Sequence, residues 1–296
     1  MSALTGSAVV VGLERSDTGR AAVEYAAELA RRRRVPLRLV HVYELIQTTV
    51  RPTYGWTPDV ESVVRNSAQR LLDETVEVLG VVYPDVEITA VLKKGSPVNA
   101  LLEESRSAHT LVLGSRGTGG FVDLLIGSTT LHVAAHATCP VVAVPSPPDA
   151  DNPRHGVVVG VDGSELSDAA IAYAFEAASE VGEKLTAIHA WHDPTRTGVG
   201  MIMPITYDPA EVVKEERLVL AESLAGWQEK FPDVEVERQV VLGHPVPALV
   251  SCAANARILV VGCRGRGALS GLVLGSVSHG VLHHATGPVA VVHRAL

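Results

Sequence analysis

A shift of 148 residues superposes the two halves of this 296-residue chain without a gap. The residues that recur at this spacing are mostly glycines and prolines, with a serine, a tyrosine and a histidine: Gly12/Gly160, Ser16/Ser164, Tyr25/Tyr173, His41/His189, Gly95/Gly243, Pro97/Pro245 and Pro140/Pro288. Self-similarity at a fixed period is typical of a duplicated structural unit, and the chain is long enough for two ordinary domains. We therefore predict two tandem domains, over residues 1–146 and 154–296, joined by a stiff polar linker over residues 147–153.

Each half alternates strand and helix patterns. In the first half, short apolar runs predict five strands: Ala8–Leu13, Leu37–Val42, Val86–Leu92, Thr110–Leu113 and Val141–Val144. The segments between them predict four helices: one capped by Ser16, one over Val63–Leu79, one begun by Pro97 and one over Thr129–His136. Strands that alternate with helices favour a parallel sheet covered on both faces. Because crossovers are right-handed, we predict an α/β fold of two doubly wound, five-stranded parallel sheets, and for these sheets we take the strand order 3-2-1-4-5.

The same glycine-rich loop follows the fourth strand in both halves. Its residues are Gly114-x2-Gly117-x9-Gly127-Ser128 and Gly262-x2-Gly265-x9-Gly275-Ser276. Glycines let backbone N–H groups approach an anion closely, and the helix that follows turns the positive end of its dipole to the same point. The loop therefore predicts a phosphate site in each half, with polar side chains nearby: Arg116, Thr129, Arg264 and Ser278. The alternative is a tight turn that only closes the sheet.

A second polar segment is expected beside each glycine loop. In a sheet of order 3-2-1-4-5, ligands bind beyond the carboxyl ends of strands one and four, where the strand order reverses. In the second half these ends carry Asp162-Gly163-Ser164 and the loop begun by Gly262. We expect the two segments to converge on one crevice. Asp162 has an alternative role as a cap of the following helix, alongside Ser164.

The segment Val159-Gly160-Val161-Asp162-Gly163-Ser164, together with the two glycine loops, resembles the universal stress protein family over nearly the whole chain. Similarity to the ATP-binding branch of that family implies an adenine nucleotide alpha hydrolase-like fold that holds ATP, with its Mg²⁺, in each crevice. It places adenine near Val161 and Ala190, and the ribose and metal-linked phosphates near Asp162. The implied cofactor-binding residues are Gly12, Glu14, Val42, Leu113, Gly114, Arg116, Gly117, Gly127, Ser128 and Thr129 in the first half, and Gly160, Val161, Asp162, Gly163, Ala190, Val261, Gly262, Arg264, Gly265, Gly275, Ser276 and Val277 in the second.

The first half departs from this pattern at one point. Where the second half has Asp162-Gly163, the first has Glu14-Arg15. Glutamate keeps the charge but reaches one methylene further, and the arginine could block the crevice or reach a phosphate. We therefore predict that the second half binds ATP at least as tightly as the first.

Composition and spacing exclude several other classes of protein. With 25 basic and 33 acidic side chains the formal net charge is −8, which argues against a protein that coats nucleic acid. Cys139, Cys252 and Cys263 form no CxxC pair, which argues against a zinc knuckle or a redox pair. No signal peptide and no membrane-length apolar run is apparent, so a cytoplasmic location without membrane contact is expected. The run Arg31–Arg34 is expected in the last turn of a helix, where cations offset the dipole.

Catalytic and metal-binding motifs receive little support. His132/His136 and His279/His283 have the spacing of metal ligands, but no HExxH occurs and only His136 recurs at the 148-residue shift, as His284. The chain has no GxSxG elbow and no G-K-[ST] of a Walker A loop. No metal site formed by protein clusters is therefore expected, although Asp162 could meet Mg²⁺ bound to ATP.

The leading interpretation is an ATP-binding regulator or sensor of the stress response that acts through a nucleotide-linked change in conformation or interaction. One alternative is a slow ATPase or nucleotidyl-transfer enzyme, and another is a nucleotide-free interaction module whose crevices are vestigial. The fifth strands, Val141–Val144 and Val289–Val292, are expected at sheet edges. Because apolar edges seek partners, we predict that the two domains pair there as a pseudo-dimer. The same apolar strands are also compatible with a homodimer of the whole chain.

Overall fold

The computed structural model describes residues 8–45, 59–117, 126–145, 153–191, 209–265 and 273–293. The chain divides into two compact units, Met1–Pro147 and Pro148–Leu296. Most of the segment over residues 44–58 and of the predicted linker over residues 147–153 lies outside the described residues. In the ranges described, no helix is long and apolar enough to span a lipid bilayer.

The first unit is a parallel five-stranded sheet with helices between successive strands. Its elements are β1 (Ala8–Gly12), α1 (Asp17–Arg33), β2 (Leu37–Tyr43), α2 (Val60–Val82), β3 (Ile88–Lys94), α3 (Pro97–Ser105), β4 (Ala108–Gly114), α4 (Ser128–His136) and β5 (Val141–Val144). The strand order is β3-β2-β1-β4-β5, and every pairing is parallel. This is the order 3-2-1-4-5 predicted for the half, so the α/β doubly wound fold is confirmed.

The second unit repeats this arrangement. Its elements are β6 (Val157–Gly160), a 3₁₀ turn (Glu165–Ser167), α5 (Asp168–Val181), β7 (Leu185–Trp191), α6 (Pro209–Ser223), α7 (Trp227–Lys230), β8 (Val236–Leu242), α8 (Pro245–Cys252), β9 (Ile258–Gly262), α9 (Ser276–His284) and β10 (Val289–Val292). The strand order is β8-β7-β6-β9-β10, again all parallel. Strands β6 and β9 are neighbours, so the strand order reverses between them.

Apolar strands at the centre of each sheet form the core. The side chains of Val9, Val10 and Val11 in β1 are buried, and so are those of Val157, Val158 and Val159 in β6. Strands covered by helices on both faces carry continuous apolar runs, which is the pattern that these segments show. In contrast, no residue of β3 or β8 is fully buried, as expected for strands at the outer side of a sheet.

Local sequence signals determine where the helices begin and end. The Ser16 hydroxyl accepts a hydrogen bond from the Gly19 N–H at 2.9 Å, which confirms Ser16 as the cap of α1. The last turn of α1 carries Arg31, Arg32 and Arg33, and Arg34 closes it in the left-handed conformation with φ of 55°. The arginine run therefore lies where the sequence predicted it, at the negative end of a helix dipole.

A half-buried histidine makes the first unit sensitive to acid. His109 Nδ1 lies 2.8 Å from Arg33 Nη1, and since a guanidinium only donates, the imidazole accepts and is neutral. Burial, and then the Arg33 charge, lower the pKa of His109 from its ordinary value to about 4.

We expect the chain to lose stability as the pH falls from about 6.5 to 4, because the unfolded chain takes up a proton that folded His109 refuses. The contribution is complete above pH 6.5, and because His109 is only half-buried we expect about 1–2 kcal/mol. Urea titrations at pH 7 and pH 4.5 would measure it. The variant His109→Gln keeps an acceptor for Arg33 and should show a smaller loss; an equal loss in both proteins would contradict the assignment.

Candidate functional site

A cavity of about 610 Å³ opens in the second unit at the carboxyl ends of β6, β7 and β9. This is the edge where the strand order reverses, which is where doubly wound sheets bind ligands. All but one of the residues predicted for the second half line the cavity: Gly160, Val161, Asp162, Ala190, Val261, Gly262, Arg264, Gly265, Gly275, Ser276 and Val277. The volume lies within the range of ordinary small-molecule sites.

One end of this cavity is formed by the glycine loop and the start of α9. The Gly275 N–H donates to the Cys263 carbonyl at 2.8 Å, which brings the start of the helix back beside the end of β9. Gly275 caps α9, and no side chain caps the first N–H groups of this helix. The first N–H groups of a helix have no partner within the helix. Such N–H groups, together with the positive end of the helix dipole, can bind an anion placed beyond the start of α9.

Ser278 fixes this geometry. Its hydroxyl donates to the Gly262 carbonyl, which ties the first turn of α9 to the end of β9. Thr130 holds α4 in the same way in the first unit, donating to the Gly114 carbonyl at 2.7 Å. The Ser278 hydroxyl, expected near a phosphate, therefore uses its proton on the protein backbone.

The glycines allow the loop to pack against Asp162. A Cβ atom on Gly265 would overlap Asp162 Oδ2, and one on Gly262 would lie 3.1 Å from the Arg264 carbonyl oxygen. The other carboxylate oxygen, Asp162 Oδ1, accepts from the Ser164 N–H at 3.0 Å and from the Ser164 hydroxyl at 2.6 Å. Asp162 therefore caps the turn before α5 and also lines the cavity, so the two roles considered for it are compatible.

Gly163 is the predicted second-half residue that does not line the cavity. Its φ is 74°, a left-handed conformation that glycine adopts without strain. Arg15, at the same position in the first half, has no positive φ. Gly163 therefore shapes the turn that carries Asp162, and the corresponding turn in the first unit follows a different path.

The opposite end of the cavity contains a histidine–carboxylate pair. His189, near the end of β7, places Nδ1 2.7 Å from the Val161 carbonyl oxygen and Nε2 2.7 Å from Glu216 Oε2. The His189 side chain is 5% exposed and that of Glu216 is 24% exposed. His189 recurs in the first half as His41, whereas Glu216, which comes from α6, has no counterpart of the same type there. Other lining residues missed by the sequence analysis are Ser167, Ile188, Trp191, His244, Pro245, Leu249 and Leu274.

The first unit repeats the glycine-loop geometry with bulkier surroundings. A Cβ atom on Gly117 would lie 2.8 Å from Glu14 Oε2, and Glu14 Oε1 is buried without a hydrogen-bond partner among the described residues. Leu113 stands where the second unit has Val261, and a Cβ atom on Gly12 would lie 2.7 Å from it. The longer acid and the larger aliphatic side chain therefore fill space that the second unit leaves open.

A cavity of about 670 Å³ does touch Glu14, but it lies between α1 and α2. Glu14 is the only predicted first-half residue that lines this cavity within the described part of the chain. The remaining predicted residues lie elsewhere, near the carboxyl ends of β1, β2 and β4 or near the start of α4: Gly12, Val42, Leu113, Gly114, Arg116, Gly117, Gly127, Ser128 and Thr129.

Two further sets of reactive side chains are the buried cysteines and the paired histidines. Burial raises the pKa of the Cys139 thiol to about 12 and also raises the pKa of the Cys263 thiol, so both are poor nucleophiles at neutral pH. His132 and His136 stack with ring centroids 4.3 Å apart. Among the residues that the structure describes, no group of three or more His, Cys, Asp or Glu side chains is placed to hold a metal ion.

Known proteins are similar to this chain in sequence. The model of the universal stress protein family matches residues 7–145 and again residues 154–293. A universal stress protein of Mycobacterium tuberculosis is 39% identical over 296 residues, which is 97% of each chain. One from Mycolicibacterium smegmatis is 35% identical over 288 residues, covering 96% of each chain.

A crystal structure shows the same fold. The universal stress protein from Archaeoglobus fulgidus aligns over 98% of this chain and 97% of its own, with a TM-score of 0.70 and 21% identity. At that identity the likeness extends to the fold alone. The two family matches and the relatives that are 35% and 39% identical over nearly the whole chain show that this chain belongs to the universal stress protein family.

Proposed function

We propose that the second unit binds ATP, with its Mg²⁺, and that nucleotide occupancy makes the protein a regulator or sensor of the stress response. The observation that carries the proposal is the cavity between β6 and β9. It joins the uncapped start of α9, two glycines without side chains and the Asp162 carboxylate in one space of about 610 Å³. The start of α9 and the glycines can bring backbone N–H groups close to a triphosphate. The Asp162 carboxylate can accept from a ribose hydroxyl or contact a phosphate-bound cation.

Each part of the cavity has a role in this proposal. The backbone N–H groups of Ser276 and Val277, with the Ser276 hydroxyl, would hold the terminal phosphates. Gly262 and Gly265 let the chain approach them, and Asp162 would hold the ribose or the cation. Bound Mg²⁺ would offset the phosphate charge. The base would lie toward Val161 and Ala190, on the side of β7.

Regulation follows if ATP binds one conformation or interaction state of the chain more tightly than another. A ligand that binds only the folded form at 100 times its Kd stabilises that form by about 2.7 kcal/mol. Added Mg·ATP should therefore raise the midpoint of thermal unfolding. We assign no chemical step to the crevice, and measurement of ADP or AMP release would reveal a slow ATPase.

Isothermal titration calorimetry of the full chain with Mg·ATP tests the proposal, after mass spectrometry of any ligand that copurifies. We expect saturable binding that Asp162→Ala weakens at least as much as Glu14→Ala does, because the open cavity lies in the second unit. Absence of binding at millimolar Mg·ATP would refute ATP as the ligand. Tight binding that depends on Glu14 alone would instead assign the nucleotide to the first unit.

A further inference from the structure

We infer that Glu216 selects the base of the bound nucleotide, accepting a hydrogen bond from the exocyclic amino group of a 6-aminopurine and disfavouring a 6-oxopurine. The inference rests on the nucleotide binding proposed above and adds a specificity-determining residue to it. Glu216 lies on α6 and lines the same cavity as the glycine loop.

The strand order places Glu216 at the base end of the cavity. The phosphate position lies at β9 and α9, whereas β7 lies on the other side of β6. Glu216 contacts His189 of β7 and shares the cavity wall with Val161 and Ala190. A nucleotide whose phosphates meet the glycine loop therefore extends its base toward Glu216. Ile188 and Trp191 add apolar surface there, which suits a purine ring.

The hydrogen bonds of His189 define the charge of the pair. The Val161 carbonyl can only accept, so Nδ1 of His189 carries a proton. The contact between Nε2 and Glu216 Oε2 needs one further proton, shared between imidazole and carboxylate. With that proton the pair is neutral overall, and the carboxyl group retains acceptor capacity, because each of its oxygens offers two lone pairs. Within the described residues, Glu216 makes no side-chain hydrogen bond other than the one to His189.

The first unit shows that Glu216 is not needed to orient the histidine. His41, the counterpart of His189, makes the same contact, with Nδ1 2.6 Å from the Leu13 carbonyl oxygen. The position equivalent to Glu216 is Ala68, which is buried in α2. Glu216 is therefore an addition to the unit that has the open cavity. A partly buried carboxyl group must be compensated for its lost hydration, and the purine amino group supplies a donor for the lone pairs of Glu216 that His189 does not use.

Donor and acceptor patterns turn this contact into selectivity. Adenine carries two N–H donors at its 6-position, whereas hypoxanthine carries an acceptor oxygen there that would oppose the carboxylate. An acceptor left facing an acceptor in a partly buried site loses the hydrogen bond and the hydration of both groups. We expect Mg·ATP to bind about 10- to 100-fold more tightly than Mg·ITP.

Calorimetry of the full chain with Mg·ATP and Mg·ITP tests the inference. In Glu216→Ala, which installs the residue of the first unit, we expect the ratio of the two affinities to fall to about one to three. The control is Glu215→Ala, which removes the same charge from the exposed neighbouring position and should leave the ratio unchanged. Circular dichroism checks that each variant folds. If Glu216→Ala does not fold, Glu216→Gln keeps the shape and should lower the ratio severalfold, since an amide can also donate to the 6-oxygen.

The outcomes separate this inference from the proposal beneath it. A wild-type protein that binds neither nucleotide refutes ATP binding and base selection together. If the wild type binds ATP and ITP equally, or the Glu216 variant keeps the full preference, base selection by Glu216 is refuted while ATP binding stands. Binding of Mg·GTP as tight as that of Mg·ATP also refutes it, because guanine would then be meeting the carboxylate through its N1–H and 2-amino donors.

Discussion

Replacing Gly265 by alanine is expected to weaken ATP binding about 100-fold, a loss of about 2.7 kcal/mol. The new methyl group would overlap Asp162 Oδ2, and the carboxylate cannot move aside freely because Oδ1 is held by the N–H and the hydroxyl of Ser164. Gly265 has no positive φ, so alanine meets no backbone strain there. The damage should therefore fall on the site and leave the free energy of unfolding within about 1 kcal/mol of the wild type. Calorimetry and urea titration measure the two quantities.

The matched control for Gly265 is Gly80→Ala. A Cβ atom on Gly80 would meet no atom within 4 Å, and the residue lies within α2. Alanine there should stabilise the chain by about 0.5–1 kcal/mol without affecting ATP affinity. If Gly265→Ala bound ATP within threefold of the wild type, the loop and Asp162 would not form the phosphate and ribose end of the site.

Truncating Phe175 to alanine is expected to lower the free energy of unfolding by about 3–5 kcal/mol. Phe175 in α5 is fully buried, with its ring centroid 5.9 Å from that of Trp227 and 5.6 Å from that of Phe231. These three rings form a cluster of the second unit alone, since the first half has Ala27, Leu79 and Tyr83 at the same positions. Loss of the Phe175 ring leaves a cavity that the surrounding side chains cannot fill completely.

Urea unfolding followed by circular dichroism would measure the effect of Phe175→Ala. The milder variant Phe231→Leu keeps most of the buried volume at a half-buried position and should cost about 1 kcal/mol. A change below about 1 kcal/mol for Phe175→Ala would mean that the cluster contributes little to the core.

Most of the fold could be predicted because it depends on local patterns. The fifth strand spans Val141–Val144, as predicted. Its bounds could be predicted because the apolar run is short and sharply bounded. The second helix was predicted over Val63–Leu79 but spans Val60–Val82. The apolar stripe did not predict the ends of this helix, because Val60, Val81 and Val82 there are 60%, 79% and 60% exposed and do not belong to its buried face.

The candidate site could be predicted where the two halves agree or where the strand order marks a position. Comparison of the halves identified the glycine loops, whereas Asp162, whose counterpart is Glu14, was identified by its place after the first strand of the second half. The comparison could not identify Glu216, since the other half has alanine there and the contact to His189 joins α6 to β7. For the same reason the comparison could not identify Glu104 in the first unit, which accepts from Arg38 and Lys93 at 2.8 Å each. The second half replaces these three residues with Cys252, Thr186 and Val241.

The buried oxygen of Glu14 has a consequence for signalling. Glu14 Oε1 is buried without a hydrogen-bond partner among the described residues, and Glu14 Oε2 lies against Gly117, so this side chain occupies space beside the first glycine loop. If the second unit alone binds ATP, as proposed, binding saturates hyperbolically, with a Hill coefficient of one. Its dose–response curve would be shallow, so the protein would report the cellular nucleotide level as a gradual readout, whereas switch-like behaviour would require coupling to a second copy.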